Sequence, residues 1–306
     1  SSSQSRRVLR HNTSNSNSMV TNLHKNIIAT VTYYDVLDFP LTPYELWRFL
    51  ISYDGTALTD KAMLRDVICA LETPELQKQL ASVDGFFFLP GRGRLVEVRI
   101  EREKLSARKL GQMKKLASWM IHMPFVRMIG ATGSLSLKHG TKASDWDMFI
   151  VFEKGRIWLG RFVMTAFLHL IGKRRHDNKI RDRACLNYFI TTDRLEIMNK
   201  DLYGAHEYQS MRLLFGKKVY GQFLLANQWL RDFKPHYTVS NLGERFTLNE
   251  GQRRLQATLE KLITFLPGEE KLIAWQRHKI EQNPKTDLPG SHIEASDQAL
   301  VFLPKP

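Results

Sequence analysis

Two aspartates one position apart, Asp145 and Asp147, lead into five apolar residues, Met148 to Phe152. Such a run reads as a buried strand. Alternate side chains of a strand share a face, so both carboxylates point the same way, with Trp146 and Met148 on the other side. Two carboxylates at this spacing can share a divalent cation, most naturally Mg2+, a hard ion that prefers oxygen. The segment FVRMIGAT (125–132) runs into Gly133 and Ser134, and Ser134 lies eleven residues before Asp145. Small residues allow close backbone approach, and a short helix opening after Ser134 offers free N–H groups to a phosphate. A phosphate cradle facing a metal clamp is the minimal equipment for phosphoryl or nucleotidyl transfer.

Several elements must hold these residues in place. FVRMIGAT reads as a strand that delivers the Gly-Ser turn. Residues 97–123 read as a long charged helix with Ser106, Leu110, Met113, Ala117 and Met120 near one face. The apolar stretch 157–172 contains Arg161 and His169 and reads as a buried amphipathic helix. It falls short of the roughly 20 apolar residues a bilayer requires, so no membrane span is expected. Residues 184–197 supply a further strand, 201–232 read as helical and aromatic-rich, and 250–282 carry Leu255, Leu259, Leu262 and Leu266 at helical steps. The Pro-rich residues 286–306 read as a loosely held tail.

The stretch before this region has a different pattern. From His24, Ile27, Ile28, Val31 and Tyr34 share a helical face. Thr42, Pro43 and Glu45 form an N-cap, a first-turn proline and a capping box. A third helix is expected from Thr59, with Met63, Leu64, Val67, Ile68 and Leu71 inward. VDGFFFLPGRGRLVEV then reads as a short aromatic strand, a Pro-Gly turn and a second strand or helix start. Three helices and a basic hairpin follow the order of a winged helix. In that order Arg92 and Arg94 are wing charges able to meet nucleic acid.

Hydrophobic residues make up 43% of the 306, which excludes a wholly disordered chain. The formal charge of +14 favours polyanionic partners such as nucleic acid or nucleotide phosphates, with a solvated basic surface as the alternative. The cluster KRRH at 173–176 is either a basic patch beside the acceptor or an ordinary charged loop. Lys138 and His139 lie between the two halves of the Gly-Ser and Asp-x-Asp pattern. The two cysteines, Cys69 and Cys185, form no Cys-x-x-Cys or Cys/His set, so no zinc site is expected, and the usage fits a reducing cytoplasm. The first 18 residues hold three arginines, no acid and no apolar core, so they do not read as a secretory signal. Residues 1–19 are read as a disordered tail or tag ending at Met19.

The ordered set Gly133-Ser134, a gap of about a dozen residues, then Ser-Asp-x-Asp and an apolar strand resembles the signature of the polymerase-beta-like nucleotidyltransferase superfamily. The likeness is confined to about 125–152, with weaker support at 184–191. The whole chain also resembles bacterial proteins with a winged-helix-like part ahead of a nucleotidyltransferase-like domain. The resemblance implies an α/β (α+β) architecture: a mixed sheet flanked by helices over 99–285, preceded by a small winged-helix-like domain over 20–98. It implies that Gly133 and Ser134 hold the triphosphate of an NTP. It implies that Asp145 and Asp147 bind Mg2+ and serve catalysis, moving a nucleoside monophosphate to an acceptor hydroxyl. Many members carry a third carboxylate on a neighbouring strand. In RACLNYFI that place is taken by Asn187, which can hydrogen-bond but cannot act as a base. Asp182, Asp193 and Glu196 flank the strand. Two functions therefore stand side by side: an Mg2+-dependent nucleotidyltransferase, or a non-catalytic protein that senses nucleotide or binds DNA or protein with a degenerate transferase site.

Overall fold

The computed structural model describes residues 22–53, 62–176, 178–236, 246–264, 268–282 and 292–303. The tail expected over 1–19, the helix start expected at Thr59, and Leu266 lie outside these residues. In chain order the helices and strands begin with α1 (22–36), α2 (Pro43–Arg48), α3 (Leu64–Leu71), α4 (Pro74–Gln77), β1 (Ala81–Val83), β2 (Phe86–Phe88) and α5 (Leu95–Met120). Next come β3 (Val126–Ala131), α6 (Gly133–Ser136), β4 (Trp146–Phe152), α7 (Ile157–Leu170) and β5 (Ala184–Thr191). The last are α8 (Leu202–Gln209), β6 (Arg212–Phe215), α9 (Lys217–Ala226), α10 (Leu230–Phe233), α11 (Glu250–Thr264), α12 (Glu269–Glu281), β7 (His292–Ala295) and β8 (Ala299–Leu303).

The chain forms two compact units. The first takes the residues up to Glu101 together with Lys200–Gln209 and Gln228–Thr238. The second takes Arg102–Asn199, Ser210–Asn227 and Val239–Pro306. Helices α8 and α10, which lie in the 99–285 stretch, thus belong to the first unit.

In the first unit, Ile27, Val31 and Tyr34 of α1 are buried with Leu46, Phe49 and Leu50 from around α2. The capping box forms as its sequence demands. The Glu45 N–H donates to Thr42 Oγ1 at 3.3 Å, and the Thr42 N–H donates to Glu45 Oε2 at 3.0 Å. Of the apolar positions of α3, Val67 and Leu71 are inside, whereas Met63 and Ile68 are exposed, contrary to expectation. Strands β1 and β2 make an antiparallel hairpin, and Leu41 bridges to Phe87 beside them.

The hairpin corrects the sequence reading. Its turn is Asp84-Gly85, both at positive φ (50° and 76°), the type I′ geometry that an Asp-Gly pair favours. Pro90-Gly91 follows β2 and leads into α5. Arg92 and Arg94 are therefore not at a hairpin tip. Arg92 is tied down: its guanidinium donates to Asp35 Oδ1 at 3.1 Å, the Asp35 carbonyl at 3.2 Å and Asp38 Oδ1 at 2.6 Å.

The second unit is built on a six-stranded mixed sheet in the order β6-β3-β4-β5-β8-β7. Among the described strands only β4 and β5 pair in parallel, and α7 supplies the crossover that a parallel pair requires. β4 is central, so Met148 to Phe152 are buried without alternation. Gly160 lets α7 lie close on this strand: a Cβ there would meet the Phe152 ring at 2.6 Å. The expected face of α5 holds, with Ser106, Leu110, Met113, Ala117 and Met120 all buried.

Two further expectations are revised. The stretch 201–232 is not helical throughout, because β6 pairs with β3 at the sheet edge. Nor are the described residues 292–303 of the expected tail loosely held. β8 pairs with β5, and Ala299, Leu300 and Val301 are buried. Burying one such leucine contributes about 2 kcal/mol, enough to hold a strand that the proline-rich composition around it disguises. Among the described residues no helix is long and apolar enough to cross a membrane.

Candidate functional site

The site lies in the second unit, where β3 ends and β4 begins. β3 delivers Thr132 to a turn in which Gly133 adopts φ +67°. The Thr132 N–H donates to the Asp147 carbonyl at 3.1 Å, joining the Gly-Ser turn to the Asp-x-Asp strand. The approach is close: a Cβ at position 133 would sit 2.2 Å from Asp147 Oδ2 and would push that carboxylate aside. Ser136 Oγ donates to the Gly133 carbonyl at 2.7 Å, and Arg212 Nε donates to the Ser136 carbonyl at 2.7 Å. Ser134 Oγ lies 3.4 Å from Ser144 Oγ, so the head of the turn reaches the residue before Asp145.

The loop that presents Asp145 is anchored from α5. Lys109 is buried, and its ammonium donates to the Lys142 carbonyl at 2.9 Å and the Ser144 carbonyl at 2.8 Å. It also lies 3.0 Å from Asp182 Oδ1. One buried cation therefore binds the approach to Asp145 and the loop leading into β5. Burial pushes the Asp182 carboxyl up, but Lys109, and after it Arg181, outweigh burial and hold it below its ordinary value.

Trp146 is buried, while Asp145 and Asp147 are part-exposed on the opposite face, as strand alternation requires. The parallel register sets Cys185 opposite Asp147. Asp145, Asp147 and Cys185 each offer a ligand atom, all within 4.8 Å of one another. The register then shifts, because Phe149 pairs with Tyr188, which leaves Leu186 and Asn187 together opposite Met148. Asn187 Nδ2 donates to Asp147 Oδ1 at a long 3.4 Å, and its buried Oδ1 has no hydrogen-bond partner.

Arg175 completes the cluster. Its Nη1 donates to Asp145 Oδ2 at 2.6 Å and to Cys185 Sγ at 3.2 Å. Burial, then the charges of Asp147 and Asp145, push the Cys185 thiol up to about 12 against the pull of Arg175. At neutral pH the cysteine is therefore a neutral thiol between two carboxylates and a guanidinium.

The four residues singled out in the sequence, Gly133, Ser134, Asp145 and Asp147, are brought together. Lys138 and His139 turn instead to α5, where Lys138 pairs with Glu103 and His139 meets Arg102. Asp193 lies at the far end of β5, near Lys154 and Gln298. Sequence spacing missed two members. Cys185 is 38 residues from Asp147 and enters only through strand pairing. Arg175 was one of four basic residues with nothing to single it out. The absence of a Cys/His pattern did not preclude a cysteine among potential metal ligands, because the other donors are carboxylates on a different strand.

A divalent cation fits this donor set. Two carboxylates and a thiol converge, and the bare α-carbon of Gly133 leaves room for Asp147. The chain matches no protein-family model, no curated protein and no solved structure.

Proposed function

We propose that the second unit is a nucleotidyltransferase-like domain that moves a nucleoside monophosphate from an NTP to an acceptor hydroxyl and releases pyrophosphate. The observation that carries this reading is the packing of Gly133 against the Asp147 carboxylate, which sets a Gly-Ser turn beside paired acids. The strand order supports it: β3 ends in the turn, β4 carries Asp147 with Asp145 just before it, and β5 runs parallel beside them. Asp145 and Asp147 would hold Mg2+, and Gly133 and Ser134 would take the triphosphate. When bound, Mg2+ offsets charge on the phosphates and lowers the pKa of the attacking hydroxyl. Asn187 orients Asp147 through its amide. In the first unit, α1, the bridge at Leu41, α2, α3 and the β1–β2 hairpin follow winged-helix order, and we read it as such a module.

A second reading has its own support. Asn187 stands in place of a base, and Arg175 sits on Asp145. Both suit a domain that binds nucleotide without turning it over.

Calorimetry with ATP, GTP, CTP and UTP, each with and without Mg2+, tests the site on wild type and on Asp145→Asn/Asp147→Asn. Binding that requires Mg2+ and both aspartates is the expected result. Equal binding by the double variant removes the proposed site. Pyrophosphate release with the bound nucleotide then separates transfer from sensing.

A further inference from the structure

Resting on the reading of Asp145 and Asp147 as metal ligands, we infer that Cys185 is a third ligand and that the site takes a thiophilic divalent cation, of the Zn2+ or Co2+ class, in preference to Mg2+. Three features of the site point there. The donor atoms of Asp145, Asp147 and Cys185 lie within 4.8 Å of one another, and β4–β5 pairing places Cys185 directly opposite Asp147. The space between them already gathers positive charge, because one nitrogen of Arg175 touches both Asp145 and Cys185. Next to Asp147, Asn187 keeps a buried amide oxygen with no hydrogen-bond partner.

The chemistry of the donors sets the preference. Mg2+ prefers oxygen ligands in near-ideal octahedral geometry and retains several waters. A sulfur donor adds nothing to its affinity. Zn2+ and Co2+ accept carboxylate and thiolate together, and three protein donors leave a further position open. Binding converts the thiol to a metal thiolate and releases its proton to solvent. The Arg175 guanidinium cannot keep both its contacts once a dication sits on the same atoms, so metal binding displaces it from Cys185. Arg175 and the metal are thus competitors for one place.

Cys69 is exposed and would bind soft metals by itself, so the test uses the full chain carrying Cys69→Ser, which leaves Cys185 as its one thiol. Co2+ is titrated and the near-ultraviolet thiolate-to-cobalt charge-transfer band is followed. The expected result is a saturable band. It is abolished by Cys185→Ser and by Asp145→Asn/Asp147→Asn, strengthened at low Co2+ by Arg175→Ala, and quenched by stoichiometric Zn2+ but not by excess Mg2+. Cys185→Ala, checked for native circular dichroism, guards against a misfolded serine variant. Absence of the band overturns the inference. So does a band that survives loss of both aspartates, or that Mg2+ removes as readily as Zn2+. The same proteins titrated with Mg2+ and nucleotide keep the two readings apart. Loss of the cobalt band in Cys185→Ser with Mg2+-dependent nucleotide binding retained supports both. Nucleotide binding without any cobalt band in the parent overturns the cysteine's role alone. Neither signal overturns both.

Discussion

Each unit holds a cluster of ionisable groups, and the two clusters treat charge in opposite ways. In the second unit, Asp145, Asp147, Arg175, Lys109 and Asp182 are arranged so that cations face acids; all but the buried Lys109 are partly open to water. In the first unit, Lys234 is fully buried. Its ammonium donates to the Phe49 carbonyl at 3.0 Å and lies 5.2 and 5.4 Å from the ring centres of Tyr34 and Tyr33. Tyr34 Oη lies 2.9 Å from His206 Nδ1. Burial pushes Lys234 down to about 7, and burial, then the charge of Lys234, push His206 down to about 3. The difference shows what a counter-ion does. Ions matched by opposite charge can stay ionised and present a field to a ligand. Bases buried among rings and carbonyls hold their protons less tightly: Lys234 gives up its charge near neutral pH, and His206 is neutral there. This contrast separates a candidate site from a polar core, although both collect tyrosine, histidine, lysine or acid.

The contrast is sharpened most by Gly133→Ala. The new Cβ would lie 2.2 Å from Asp147 Oδ2 at a backbone φ of +67°, so Asp147 must move. Metal-dependent nucleotide binding should be lost in calorimetry while unfolding of the first unit is unaltered. Wild-type binding by this variant would break the link between the turn and the acids.

The next effect belongs to the first unit. Between about pH 7 and the ordinary lysine value of 10.5, the unfolded chain holds a proton on Lys234 that the folded chain lacks. Stability of this unit therefore rises with pH across that window, by on the order of 4 kcal/mol, and is lost as pH falls toward 7. His206 adds a further loss from its ordinary 6.5 down to about 3, because the folded imidazole stays neutral. Hydrogen exchange of α2 amides in urea at stepped pH measures the trend. Lys234→Met should flatten the upper part of the curve, and an unchanged slope would assign the effect to another group.

Lys109→Met should destabilise the second unit by about 3 kcal/mol, since it leaves two loop carbonyls without their donor and Asp182 with Arg181 as its remaining cation. Chemical unfolding measures this. Recovery by Lys109→Arg would point to charge rather than packing. Arg92→Ala marks the lower end of the scale. Its bridges to Asp35 and Asp38 are part-exposed, so their loss should cost about 1 kcal/mol or less.

Much of the scaffold was legible because its signals are local. The capping box of Thr42 and Glu45, the buried face of α5 and the apolar run after Asp147 each follow from neighbours a few residues apart. The hairpin turn is also written locally, in Asp84-Gly85, but Pro90-Gly91 a few residues on is an equally strong turn signal in sequence. β8 was hidden by the proline-rich residues around it, and β6 by the helical pattern on either side.

The amino-acid sequence by itself determined that Asp145 and Asp147 share one face of a strand and that a Gly-Ser turn precedes them, because strand alternation and glycine's freedom at positive φ are properties of short peptides. Tertiary structure alone decided which groups meet those acids. Cys185 arrives through the parallel register of β4 and β5, Arg175 through the loop that Lys109 and Asp182 pin, and Asn187 through a register shift. Register is set by how whole faces of apolar residues bury against one another. No spacing along the chain encodes it, and so the donor set of the site could be read only once the sheet had formed.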